Sequence, residues 1–197
     1  VIHWGSNMLR LFCICSLALS AFLRTASAQE ATSYTYSANA GIVSEYTSRG
    51  FRLNWGDPAI QAGAEILHAS GWYLGSWASQ ITDKFYANGS YEIDLYAGQR
   101  GKFREALNYD VGLGAYFYPG ANYRHSVPAG TDQRYDTTEA IIGLTYDWLN
   151  LKYYYCLTDY YGYNDRSVPI GPWNSGVSGG ITPGHNTRGS AYIEANA

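Results

Sequence analysis

The chain has 197 residues, with 13 basic and 16 acidic side chains, and only 15% of it is charged, well below the ~25% usual in soluble domains. Two basic residues, Arg10 and Arg24, lie in an N-terminal leader; without them the formal charge of −3 falls to about −5, which argues against nucleic acid as a partner. Beyond the leader only Cys156 remains, so an intrachain disulfide framework is excluded.

The leader reads as a secretory signal peptide over residues 1–28, with the mature domain at 29–197. Arg10 supplies a positive start, and Leu11 to Leu23 form an apolar stretch too short to span a bilayer as a helix. Ala26-Ser27-Ala28 gives a small-x-small cleavage site before Gln29. Cys13 and Cys15 lie within the leader and follow no lipobox, so no lipid anchor is expected.

From there the chain alternates apolar and polar residues at a period of two, the signature of strands whose faces meet different surroundings. The first predicted strand runs from about Ser33 to Arg49, with tyrosines at both ends and small residues between. After a loop at 50–58, the second, Ala59 to His68, sets Ile60, Ala62, Ala64 and Ile66 against Gln61, Gly63 and Glu65. A turn at Ala69-Ser70-Gly71 leads to a third, Trp72 to Ile81, whose two tryptophans leave its sides unassigned.

Asn88-Gly89 ends the next connection, 82–89, with a hairpin signal. The fourth strand has the clearest pattern: Tyr91, Ile93, Leu95 and Ala97 share one face, and Glu92, Asp94 and Tyr96 the other. It turns through Arg100-Gly101-Lys102 into a fifth, Leu107 to Tyr118. A polar loop, 119–136, precedes the sixth, Thr137 to Tyr146, and Asp147 to Asn150 turns into the seventh, Leu151 to Tyr161. The longest loop, 162–188, leads to an eighth run from Ser190 that stops in mid-strand at Ala197, so the chain is read as a fragment of a larger barrel.

A wholly apolar face opposite one bearing carboxylates fits oil outside and water inside a closed barrel. The connections alternate long and short, as external loops and periplasmic turns do in outer-membrane barrels, which places 50–58, 82–89, 119–136 and 162–188 outside. All 20 tyrosines follow the leader, and amphipathic rings suit membrane interfaces better than a packed soluble core. The predicted fold is therefore an all-β, antiparallel transmembrane barrel in the bacterial outer membrane.

Ser48-Arg49-Gly50-Phe51, Gly56-Asp57-Pro58-Ala59-Ile60-Gln61-Ala62-Gly63 and Glu92-Ile93-Asp94-Leu95-Tyr96-Ala97-Gly98 resemble the TorF-type porins, the Gcw_chp family of conserved hypothetical proteins. So do Ser70-Gly71-Trp72-Tyr73-Leu74-Gly75-Ser76-Trp77-Ala78-Ser79, Tyr109-Asp110-Val111-Gly112 and Tyr116-Phe117-Tyr118-Pro119-Gly120. The resemblance implies an outer-membrane barrel and brings no established substrate or catalytic residues.

On the predicted inward faces lie Glu45, Glu65, Glu92, Asp94, Asp110 and Glu139, with Arg49, Arg100 and Lys152 as basic partners. An open lumen with this acidic excess would favour cations; ion pairs filling a narrow barrel would conduct nothing. The aromatic, basic segment 50–58 offers Arg52, Trp55 and Asp57 on the external side. Arg49 and Arg52 could meet lipopolysaccharide phosphates there, against a turn fixed by Gly and Pro with Trp55 at the interface.

The expected partners are outer-membrane lipids, lipopolysaccharide and small polar solutes or ions, with a homo-oligomer left open. His68, His125 and His185 show no nucleophile setting, Gly176 to Gly180 no phosphate cradle, and no His/Cys cluster has zinc spacing, so no enzyme, cofactor or metal is expected. The leading function is passive diffusion of small polar solutes or ions. The alternatives are a non-conducting structural or ligand-binding barrel acting through its loops, and a soluble periplasmic barrel with the apolar faces turned inward.

Overall fold

A computed structural model describes residues 33–127, 129–165, 167 and 185–197; the leader and the middle of the longest loop, Gly176 to Gly180 included, lie outside them. The described chain forms β1 (Tyr34–Val43), β2 (Thr47–Ser48), β3 (Phe51–Arg52), β4 (Ala59–His68), β5 (Trp72–Gln80), β6 (Tyr91–Arg104), β7 (Leu107–Phe117), β8 (Thr137–Tyr146), β9 (Leu149–Cys156) and β10 (Ala191–Asn196). Helix among the described residues is limited to two 3-10 turns, Tyr123–His125 and Tyr160–Gly162. No helix in them is long and apolar enough to cross a membrane, which says nothing of strands.

Eight strands make one antiparallel sheet in the order β1-β4-β5-β6-β7-β8-β9-β10, and β2 and β3 form a separate hairpin. Each strand of the large sheet pairs with its neighbours in chain order, which is what period-two segments joined by short connections produce. The pairing has a sidedness that can be followed across the whole sheet. Tyr36, Ile66, Leu74, Ala97, Leu113, Ala140, Tyr155 and Ala191 form one cross-strand row. The neighbouring row on the opposite face reads Ser37, Glu65, Gly75, Tyr96, Gly114, Glu139 and Cys156.

The sheet curls. Laid flat, eight strands would extend about 34 Å from first to last. Yet Arg49, six residues past the end of β1 and so within about 20 Å of it, has its guanidinium 5.0 Å from the Tyr192 ring on β10. The loop after one edge thus meets the other edge, and it does so while Arg49 also touches Tyr116, Glu139 and Tyr154 on the strands between, which fits a sheet bent around its polar face. That face is called inner below. Among the described residues β1 and β10 do not pair, so the sheet is open.

Several predicted bounds move, each for a local reason. The first strand ends at Val43, not Arg49, because the backbone amide of Leu53 bonds to the carbonyl of Tyr46 and the Asn54 side chain accepts from the Tyr46 amide. With Arg49 (φ 49°) and Gly50 (φ 84°) at its tip, 47–52 becomes a hairpin. The turn expected at 100–102 falls at 105–106, since β6 keeps pairing through Arg104 past an irregularity at Phe103. The seventh strand stops at Cys156, where the Asp159 carboxylate accepts from the amides of Thr187 and Arg188 and Tyr161 turns at φ 49°.

β5, unassigned from sequence, sends Tyr73, Gly75, Trp77 and Ser79 inward and Trp72, Leu74, Ser76 and Ala78 outward. On the inner face its Tyr73 ring lies across Gly98 of β6 and Gly112 of β7, and its hydroxyl donates to Asp110 at 2.6 Å. A side chain at Gly112 would place Cβ 2.6 Å from both the Tyr73 hydroxyl and the Ala97 carbonyl oxygen. The carbonyl belongs to the sheet backbone and cannot swing away. Gly112→Ala is expected to cost at least the 1–3 kcal/mol typical of overpacking, read as a lower unfolding temperature. Removing the ring as well, in Gly112→Ala/Tyr73→Ala, should leave much of the loss, because the backbone clash persists.

The four long connections gather at one end of the sheet and the three short turns at the other. At the loop end, Leu53, Ile81, Tyr86, Tyr118, Ala121, Tyr123 and Tyr135 form the buried cluster, with Tyr46, Phe85, Tyr116, Tyr161 and Tyr163 packed on it. The connections interlock through their backbones: the Thr82 amide bonds to Leu53, the Asn122 amide to Ala87, and the Tyr123 hydroxyl to the Tyr161 carbonyl. The molecule's main apolar core is thus a knot of loops closing one end of the sheet.

Candidate functional site

Arg49 organises the inner face at the loop end. The β2–β3 hairpin carries it over the sheet, where its guanidinium donates to both carboxylate oxygens of Glu139 on β8, at 2.7 and 2.5 Å. Glu139 is fully buried. Five tyrosine rings surround the guanidinium: Tyr154 and Tyr192 at 4.9 and 5.0 Å, and Tyr116, Tyr160 and Tyr161 at 5.8 Å. Burial is the largest single influence and opposes the charge on Arg49, but the hydrogen bonds and attraction of Glu139, together with those of Tyr160 and Tyr161, outweigh it and hold the guanidinium above its usual range.

Glu92 and Asp94, two residues apart on β6 and so on one face, lie in the same region. Glu92 is buried and accepts a hydrogen bond from the Tyr118 hydroxyl at 2.7 Å. One oxygen of Asp94 is buried without a hydrogen-bond partner among the described residues. On this part of the inner face, three carboxylates therefore share a single guanidinium among the described residues. Above them, burial pushes the phenols of Tyr86 and Tyr161 well over the ordinary tyrosine value of 10.0.

The turn end of the inner face is differently composed. Arg100 donates to Glu65 at 2.7 Å and lies over the Tyr73 ring at 4.0 Å. Asp110 takes the Tyr73 hydroxyl, Lys102 follows Arg100 along β6, and Lys152 stands opposite both Gly143 and Glu194 in the ladder. Basic and acidic groups balance here; the acidic excess is concentrated at the loop end.

Of the residues predicted to face inward, Glu65, Glu92, Asp94, Asp110, Glu139 and Lys152 occupy that face directly. Arg49 reaches it from the loop. Glu45 does not: it lies beyond β1 and pairs with Arg52 at the loop surface, because the chain has left the sheet at Val43. Trp55 is exposed, at φ 59°, and Asp57 is also exposed, its amide closing a turn onto Asn54. His68 sits beside Ser70 at the turn end and His125 beside Arg124 in a loop. Cys156 is buried with its sulfur 3.5 Å from Glu139.

The tyrosines that build the site, Tyr46, Tyr73, Tyr116, Tyr118, Tyr154, Tyr161 and Tyr192, are not among the candidates that charge and strand pattern single out. A signal existed for some of them. Tyrosines at inward positions stand next to glycines on adjacent strands, as Tyr96 does across from Gly75 and Gly114, which leaves room for a ring to lie flat on the sheet.

A family model described as a bacterial protein of unknown function, Gcw_chp, matches residues 27–197. The chain belongs to the Gcw_chp family. No curated protein and no solved structure matches it. The geometry of this Gcw_chp chain is a curled antiparallel sheet, a carboxylate-rich inner end latched by Arg49, and a loop knot above it.

Proposed function

We propose that this Gcw_chp protein is a bacterial outer-membrane barrel that passes small polar solutes or ions passively and prefers cations, in keeping with its resemblance to TorF-type porins. One observation carries the reading. Ile42, Ile60, Ile66, Leu74, Leu95, Val111, Leu113, Ile142, Leu144 and Ile193 stand exposed along the outer face of seven different strands, while charges fill the inner face. No soluble fold gains from that inversion, since an exposed apolar surface of this extent invites aggregation. A bilayer removes the difficulty.

Further features agree with it. Tyr34, Trp72, Phe103, Tyr146 and Trp148 are exposed near the turn end, and Phe51, Trp55 and Tyr91 near the loop end, where two interfacial girdles would lie. In lipid the free edges of β1 and β10 must be paired, because unpaired backbone groups have no water to turn to. Further strands or a second copy would supply that pairing. The loop end would face the outside, with lipopolysaccharide around its rim.

The second reading, a barrel that does not conduct and works through its loops, is favoured by the loop knot and by the buried Arg49–Glu139 pair beneath it. Single-channel conductance in a planar bilayer separates the two. Discrete openings with a cation-shifted reversal potential are expected, and Asp94→Asn should shrink that shift. Folded protein that inserts and stays silent would overturn the diffusion reading in favour of the second.

A further inference from the structure

The four long connections leave a cavity at their end of the sheet to which the barrel reading assigns no role. It measures about 360 Å3, within the ~300–1,000 Å3 of ordinary small-molecule sites. Leu53, Tyr86, Tyr123 and Tyr135 are its buried lining, and Phe51, which packs on Phe85, is exposed. Phe85, Tyr160, Tyr161 and Ser48 line it between these.

Three properties limit what fits. The walls are aromatic, so a guest must offer a flat apolar face. Most of those rings are tyrosines, and a wholly hydrocarbon guest would take water from phenol oxygens and return no hydrogen bond. Among the described residues no carboxylate lines the cavity, and its one cation, Arg49, already spends its fork on both oxygens of Glu139. Neither an anion nor a cation finds an uncompensated counter-charge there. What remains is a neutral ring with apolar C–H faces and hydroxyls at its edge.

We propose that this cavity is a binding site for a neutral sugar, with a pyranose ring stacked on the paired Phe51 and Phe85 rings and its hydroxyls bonded to phenol oxygens and to Ser48. Seated at the mouth of the inner face, the site would hold a sugar before it enters. The proposal rests on the barrel reading only for the side from which the sugar arrives.

Saturation-transfer NMR with maltose on the folded protein in detergent micelles tests it without reference to conduction. A saturable signal centred on the ring C–H protons is expected, unaffected by equal concentrations of phosphate or tetramethylammonium. Phe51→Ala and Tyr160→Ala, neither in the buried wall, should each weaken binding by about tenfold, with far-UV circular dichroism confirming that both fold. A non-saturable signal, displacement by either ion, or unchanged affinity in both variants would overturn the proposal. Maltose binding by a protein that forms no channel would overturn the diffusion reading alone.

Discussion

Arg49→Ala is expected to destabilise the protein more than any other single truncation on its surface or loops, by about 3–5 kcal/mol, the usual loss when one partner of a buried ion pair is removed. The cause is what stays behind. Glu139 is fully buried on β8, and without the guanidinium it shares the inner face with Glu92 and Asp94 and, among the described residues, with no cation in hydrogen-bond reach. The hairpin 47–52 would lose its hold on the far side of the sheet at the same time. Arg49→Lys should rescue little, since an ammonium cannot match the two-pronged contact with both oxygens. Arg49→Ala/Glu139→Gln should recover a large part of the loss, because the orphaned charge is gone. Heat-modifiable gel migration, read as the temperature at which the folded band disappears, orders the four proteins. Equal stability of Arg49→Ala and the parent would mean that the latch does not form. In any variant that still folds and conducts, removing the one cation among three carboxylates should also steepen cation preference.

The latch shows what a linear pattern can and cannot reveal. Alternation along Tyr91 to Ala97 was enough to place Glu92 and Asp94 on one face, because in a strand sidedness follows from position alone. Loop asymmetry was enough to order the connections, and short turns fixed the antiparallel neighbours. The partner of Arg49 was beyond reach by such means: Glu139 is 90 residues away, and the contact depends on how far the sheet curls. Glu45 shows the converse error. Its period-two placement continued a strand that the Asn54 side chain ends by capturing the Tyr46 amide, a local hydrogen bond that hydrophobic periodicity does not register. The loop knot was equally hidden, since Tyr86, Tyr123 and Tyr135 come from segments with no regular pattern, Tyr118 ends the fifth predicted strand, and only packing joins them.

Leu113→Arg puts the membrane reading itself at risk. Leu113 sits mid-strand on β7, 54% exposed, in an outward row running from Tyr36 to Ala191 with no polar member except the tyrosine hydroxyls. If water covers that row, an arginine there is a surface substitution, within about 0.5 kcal/mol of neutral. If lipid covers it, the guanidinium enters hydrocarbon near the bilayer midplane at a cost of about 2–4 kcal/mol. Asn108→Arg is the matched control: the same strand and the same new charge, but on the inner face between Asp110 and the cross-strand Lys102, where water can screen it. In refolding into lipid vesicles, the first variant is expected to lose stability or fail to insert, and the second to behave as the parent. The contrast depends on the side a residue faces and not on what the lumen carries, so it stands whether or not a current is ever recorded. Two variants of equal stability would return the outer face to water, and the exposed isoleucines and leucines of the sheet would then need a protein partner to cover them.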